Sequence, residues 1–136
     1  MNKIAIMPIQ PRYAEAILNG EKTVEFRRRT FGDHVRFVLI YASSPVQKVV
    51  GFFEIDEICR TSPSEAWKLF QNLGSIDEQS FLDYYNGTNE ANAIKIKKVK
   101  QFQNPLELNQ INQKFLPPQS YRYVSADDFE RVRAFA

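Results

Sequence analysis

Gly20-Glu21-Lys22-Thr23-Val24-Glu25-Phe26-Arg27-Arg28 is the densest run of chemistry-bearing residues in the chain. From Thr23 to Arg27 polar and apolar residues alternate, the period of a strand with one buried face. Val24 and Phe26 therefore share one side, and Thr23, Glu25 and Arg27 share the other, with Lys22 at the mouth. A carboxylate flanked by cations stays ionised and holds them in fixed positions. Arginine forks held in this way suit a phosphate or a base edge. If exposed, the same residues are only a strand-end ion ladder, contributing about 0–1 kcal/mol.

Upstream, Lys3-Ile4-Ala5-Ile6 alternates as a strand that Pro8 and Pro11 are expected to end. Pro11 suits the first turn of a helix carrying Ala14, Ile17 and Leu18, and Gly20 stops it as a left-handed cap. Downstream, Gly32-Asp33 reads as a turn. Val35, Phe37, Leu39 and Tyr41 then share one face of a longer strand, and Val49 to Ile58 forms the next, with Gly51 a bulge or a point of close approach. Ser62-Pro63-Ser64-Glu65 and Ser75-Ile76-Asp77-Glu78 are capping-box patterns opening two helices, closed by Gly74 and Gly87. Residues 92–102 alternate around Ile94 and Ile96. Residues 103–120 are loop-like, with at most a short helix near 106–111. Tyr121-Arg122-Tyr123 is a short strand, and Ser125 caps a last helix. The order β-α-β-β-β-α-α-β-β-α is mixed α+β, with too few crossover helices for a doubly wound parallel sheet.

The 136 residues, 43% hydrophobic and 25% charged, have the size and composition of one domain spanning 1–136. No apolar run approaches the ~20 residues of a membrane span, so no membrane partner is expected. The opening Met1-to-Pro8 segment has neither a long hydrophobic region nor a small-residue cleavage site, which argues for the cytoplasm. One cysteine, Cys59, and one histidine, His34, cannot build a Cys/His zinc site, so no metal is expected. The net charge of +2 hides a segregation: residues 1–53 carry 8 Lys/Arg against 4 Asp/Glu, 54–90 carry 2 against 8, and 91–136 carry 8 against 4. If the outer thirds meet, they form a basic side that attracts phosphates. Arg27-Arg28-Arg29 and Lys95, Lys97, Lys98 and Lys100 otherwise serve as solubilising strand edges.

Two further segments carry binding chemistry. Tyr41-Ala42-Ser43-Ser44-Pro45-Val46-Gln47-Lys48 ends a strand in small hydroxyl residues and a proline, a tight loop with backbone amides free for an anion or base edge. Leu116-Pro117-Pro118-Gln119-Ser120-Tyr121-Arg122-Tyr123 is held extended by its prolines. It offers tyrosine faces for stacking, and Gln119 and Arg122 for base-edge or phosphate hydrogen bonds. Glycine-rich phosphate loops, GxSxG, HExxH and CxxC are all absent, and no cofactor is expected. His34 reads as a turn residue and Cys59 as a packed thiol.

Taken together, the helix from Pro11 to Gly20, the GxKxxExR-type run Gly20–Arg27, the Gly32-Asp33 turn, Tyr41–Val46, Gly51 and Pro117–Tyr123 resemble the ASCH domain of the PUA-like superfamily. They occur in the family's order across nearly the whole chain. The resemblance implies a mixed β-barrel with flanking helices, a cleft beside the GxKxxExR strand, and an RNA-related role. It implies that Lys22, Glu25 and Arg27 line the cleft, with Tyr41, Ser43, Lys48 and Ser120 as neighbours. Gln47 departs from the pattern: many relatives place lysine directly after the Pro-Val pair, which puts Lys48 one residue late. Small ASCH amidohydrolases that deacetylate acetylcytidine share the lysine but use a threonine where this chain has Glu25.

The leading expectation is thus a module binding RNA, single-stranded in preference, or a nucleotide-like ligand. Lys22, Arg27 and Arg28 would engage phosphate or a base edge, Ser43, Ser44, Gln119 and Arg122 would add contacts, and Tyr41 or Tyr121 would stack. The alternative is an enzyme acting on RNA or a modified nucleoside, a metal-free ribonuclease or an acetylcytidine amidohydrolase. Lys22, Glu25, Tyr41, Lys48 and Ser120 are then the candidates for charge stabilisation and proton transfer. A third class is a protein adaptor presenting Trp67, Phe70, Tyr84 and Tyr85 from the acidic helices, though these aromatics are expected to pack inward.

Overall fold

The computed structural model describes residues 3–32 and 34–136. Six strands and five helices follow one another as β1 (Lys3–Ile9), α1 (Pro11–Leu18), β2 (Val24–Arg27), β3 (Val35–Ala42), β4 (Lys48–Thr61), α2 (Pro63–Phe70), α3 (Glu78–Tyr85), β5 (Ala91–Leu106), α4 (Leu108–Ile111), β6 (Arg122–Val124) and α5 (Ala126–Arg133). This is the expected mixed α+β order with the short helix added. The half of the expected turn that falls on Asp33 lies outside the described residues.

The strands form one sheet in the order β2-β5-β4-β3-β1-β6. Its pairs are antiparallel except β1 with β3. The ladder does not close into the expected barrel: among the described residues β2 and β6 occupy opposite edges and share no backbone bonds. At four and three residues they are too short to ladder far. A side chain spans the gap instead. From β2, Arg27 donates to the carbonyls of Pro8 at 3.0 Å and of Ser120 at 3.2 Å.

The sheet buries apolar residues on both faces. Ala5, Met7, Ile9, Val38, Ile40 and Phe53 join Ala14 and Ile17 of α1 on one face, whereas Ile4, Ile6, Leu39, Tyr41 and Phe52 join α4 and α5 on the other. Val24 and Phe26 of β2 pack with Ala66 of α2 and Phe81 and Tyr85 of α3. Burial of a large apolar side chain such as Phe53, Phe81 or Phe129 stabilises the fold by about 1.5–3 kcal/mol.

Three local expectations are corrected. Pro8 does not end β1. That strand pairs with β3 as far as Ile9, while its other edge pairs with β6 only from Ile4 to Ile6, so beyond Ile6 the missing N–H costs no ladder bond. Val35 does not share a face with Phe37, Leu39 and Tyr41, because the register against β1 slips between Lys3 and Ile4 and turns Val35 to the opposite core. The cap of α3 is Asp77, whose carboxylate accepts from Ser80 N at 2.8 Å, while Ser75 sits at φ 53 outside the helix.

Candidate functional site

The chain between α1 and β2 fixes Lys22 before its side chain does anything. Gly20, at φ 87, turns out of α1, and Lys22 N then donates to the Ala16 carbonyl at 2.9 Å. Thr23 N and Val24 N both donate to the Leu73 carbonyl, at 2.9 and 3.1 Å, tying the strand entrance to the turn that follows α2. The Lys22 side chain turns inward and is only 3% exposed. Its Nζ donates to the Gly74 carbonyl at 2.6 Å, lies 3.3 Å from Glu25 Oε1, and sits 5.1 Å above the Tyr13 ring. Gly74 itself lies hard against Phe26, since a Cβ there would meet that ring at 2.3 Å.

Glu25, 6% exposed, is bound on its other oxygen by Arg27 at 3.2 Å. Lys22, Glu25 and Arg27 therefore form one buried cluster in which the carboxylate bridges two cations. Breaking such a cluster by deleting one partner is costly, about 3–5 kcal/mol for a fully buried pair. The β2 backbone is anchored as well: Tyr85 Oη donates to the Arg27 carbonyl at 3.1 Å, and Asn92 Nδ2 reaches the Arg27 and Arg28 carbonyls. Burial pushes the Tyr85 phenol well above its ordinary range, so it stays a donor at neutral pH.

The cluster lines a cleft of about 580 Å³ bounded by the end of β1, the first turn of α1, β2 and α3. Arg12 and Tyr13 stand on one wall, with the guanidinium 4.5 Å over its neighbour's ring. Asp83 and Tyr84 stand on another, and Ser43 and Gln119 are also in the lining. A second cavity of about 770 Å³ adjoins it, lined by Arg28, Arg29, Arg60, Asn92, Ser120 and Tyr121 among others. Adjacent residues, Arg27 with Arg28 and Gln119 with Ser120, divide between the two. The first has Tyr13 and Tyr84 in its walls and a carboxylate and two cations in its floor.

The residues singled out from the sequence separate into three groups. Lys22, Glu25, Arg27, Ser43 and Gln119 line the cleft. Arg28, Ser120 and Tyr121 line the second cavity, where Tyr121 meets Phe31 edge-on at 5.4 Å and partial burial pushes its phenol up. Tyr41, Ser44, Lys48 and Arg122 line neither.

Three of these make their contacts elsewhere in the fold. Ala42 faces the core shared with α1, so Tyr41 faces the opposite core beside Ile4 and Leu39. Lys48, beyond Gln47 at φ 54, pairs with Glu107. Arg122 stands opposite Ile6, whose side chain belongs to that same opposite core, and its guanidinium lies 4.1 Å over the Phe115 ring. Ser44 is exposed before the cis bond to Pro45.

Sequence reasoning missed Arg12, Tyr13, Gly74, Asp83 and Tyr84. The first two were visible as polar residues directly after Pro11 at a helix start. Tyr84 packs against the Phe81–Tyr85 cluster as its inward reading expected, and its half-buried ring also carries the Arg28 guanidinium at 4.9 Å. Among the described residues no group of three or more His, Cys, Asp and Glu is placed to hold a metal ion. No helix among them is long and apolar enough to cross a membrane.

A model of the ASCH domain matches residues 7–111. Over 134 residues the chain is 31% identical to a Zymomonas mobilis protein named ASCH domain-containing ribonuclease, covering 96% of this chain and 90% of that one. The crystal structure of ASCH from Zymomonas mobilis superposes with a TM-score of 0.90 at 30% identity, across 97% of this chain and 94% of the other. The large ribosomal subunit protein uL22 of Ureaplasma parvum is 31% identical over 103 residues, 75% of this chain but 33% of that protein.

Proposed function

The chain belongs to the ASCH domain family, and from that membership and the geometry of its cleft we propose that it binds single-stranded RNA, drawing one nucleotide out of the strand into the cleft. The observation that carries this reading is the buried Lys22–Glu25–Arg27 cluster flooring a 580 Å³ space between Tyr13 and Tyr84. Glu25 and Gln119 supply acceptors and a donor for a base edge. Arg12 and Arg27 supply guanidinium groups for the phosphate, and the tyrosines supply faces on which an unstacked base can lie. A base inside a duplex cannot reach such a pocket, so single strands are preferred.

A second reading, cleavage of the bound RNA, is favoured by one specific observation: the ribonuclease name of the Zymomonas mobilis relative, matched across nearly its whole length. In that reaction the ribose 2′-oxygen bonds to phosphorus as the bond from phosphorus to the 5′-oxygen breaks. Glu25 would accept the 2′-hydroxyl proton, Lys22 would return a proton to the leaving oxygen, and Arg27 would stabilise the charge on phosphorus. The acetylcytidine reading has less support, because Glu25 replaces the threonine nucleophile of that chemistry.

Glu25→Gln tests both readings on one single-stranded oligoribonucleotide, with affinity and product followed together. As a binding site, the cleft should keep its affinity to within about 1 kcal/mol. As a cleaving enzyme, wild type should shorten the RNA, and the variant should lose about 10²–10⁴-fold of that rate with little change in affinity. Absence of binding by wild type at low salt overturns the binding reading. Equal cleavage by both proteins removes Glu25 from the reaction.

A further inference from the structure

Among the described residues, the lining of the cavity beside the cleft includes Arg28, Arg29, Arg60 and Glu90. Arg29 has no ion-pair, hydrogen-bond or ring partner among the described residues. The Arg28 guanidinium lies over the Tyr84 ring, 4.9 Å from its centroid, and that ring lines the cleft, while the Arg28 backbone N–H donates to the same tyrosine's Oη. Arg60 is oriented by Asn92 Oδ1 at 2.9 Å and the Phe31 carbonyl at 3.0 Å, so it is a positioned group rather than a trailing surface chain. Thr30 Oγ1, in the same lining, is shielded from solvent without a hydrogen-bond partner among the described residues. A concave space with two guanidinium groups that have no carboxylate partner among the described residues, and a third held in position, is chemically complementary to phosphate oxygens.

We propose that this cavity is a second subsite, holding the backbone phosphate next to the nucleotide that occupies the cleft. The inference rests on the RNA reading of the cleft and adds a direction for the strand. It leaves the cleft past the Arg27–Ser120 link and passes over Arg28 toward Arg29 and Arg60. An acidic peptide is the competing occupant, and continuity with a nucleotide-sized cleft favours RNA. A ligand of one nucleotide gains nothing from the second subsite, whereas a strand of several does.

The probes are uridine monophosphate and a uridine tetranucleotide with 2′-fluoro sugars, which cannot be cleaved through the 2′-oxygen. The proteins are wild type, Arg28→Gln/Arg29→Gln, Arg12→Gln in the cleft and, as a control of equal charge loss to the arginine pair, Lys97→Gln/Lys98→Gln on β5. The arginine pair should weaken tetranucleotide binding about 10-fold and flatten its salt dependence by about one contact in the log–log slope. It should leave monophosphate binding unchanged, and the lysine pair should leave both probes unchanged. Equal weakening by the two pairs makes the effect bulk charge and overturns the subsite. So does equal loss on both probes, or effective competition by an oligoglutamate. Tetranucleotide binding that is weakened by Arg12→Gln but not by the arginine pair overturns the subsite while sparing the cleft reading. No tetranucleotide binding by wild type overturns both.

Discussion

Lys22 sets the floor of the cleft, since its ammonium joins the Gly74 carbonyl to Glu25 in a space almost closed to water. Replacing it with methionine fills similar volume but leaves Glu25 with one cation instead of two. Lys22→Met should cost about 2–4 kcal/mol in urea denaturation, short of the full cost for an isolated pair because Arg27 remains. Lys22→Met/Glu25→Leu should recover part of that loss, and strictly additive effects would show that the two side chains do not cooperate. The alternation of Thr23–Arg27 made these side chains legible from sequence, because it constrains direction within a single strand. Tyr41 was legible within its own strand, where alternation put it on the face of Phe37 and Leu39, but alternation did not say which core that face meets. The direction of Lys48 lies beyond slips in strand register at Ile40/Tyr41 and Val49/Gly51, which only the paired partner reveals.

At the scale of elements, punctuation residues carried most of the information. Ser62 and Ser125 cap α2 and α5 through the N–H groups of Glu65 and Asp128, as their spacing indicates. The same pattern misled at Ser75, because Asp77 two residues later is an equally good cap. Gly51 is both things its sequence context suggested: the β4–β5 register slips beside it, and a Cβ there would lie 2.4 Å from the Lys100 carbonyl oxygen. Gly51→Ala must therefore push two backbones apart and should lower stability by about 2–3 kcal/mol in the same denaturation experiment. A change below about 0.5 kcal/mol, the usual size for a neutral surface substitution, would contradict the close approach. The walls of the cleft were harder to foresee. Arg12 and Tyr84 come from helices far apart in sequence, and no local periodicity announces that α1 and α3 face the same space.

Across the whole molecule, the segregation of charge along the chain resolves into a particular arrangement. Arg12, Lys22 and Arg27 from the basic first third line the cleft beside Asp83 of the acidic middle, while Arg28, Arg29 and Arg60 gather around the neighbouring cavity. The open sheet contributes directly, because the gap a closed barrel would have sealed is where Arg27 reaches Pro8 and Ser120. The central claim, recognition of single-stranded RNA at this place, is tested most directly by titrating one labelled oligoribonucleotide, single-stranded and as its duplex, across a range of salt. The account predicts tighter binding of the single strand, with log Kobs falling against log salt at a slope of about −2 to −3, as for three or four phosphate contacts on a single strand. Duplex binding as tight as the single strand, or no binding of either at the lowest salt, would contradict it.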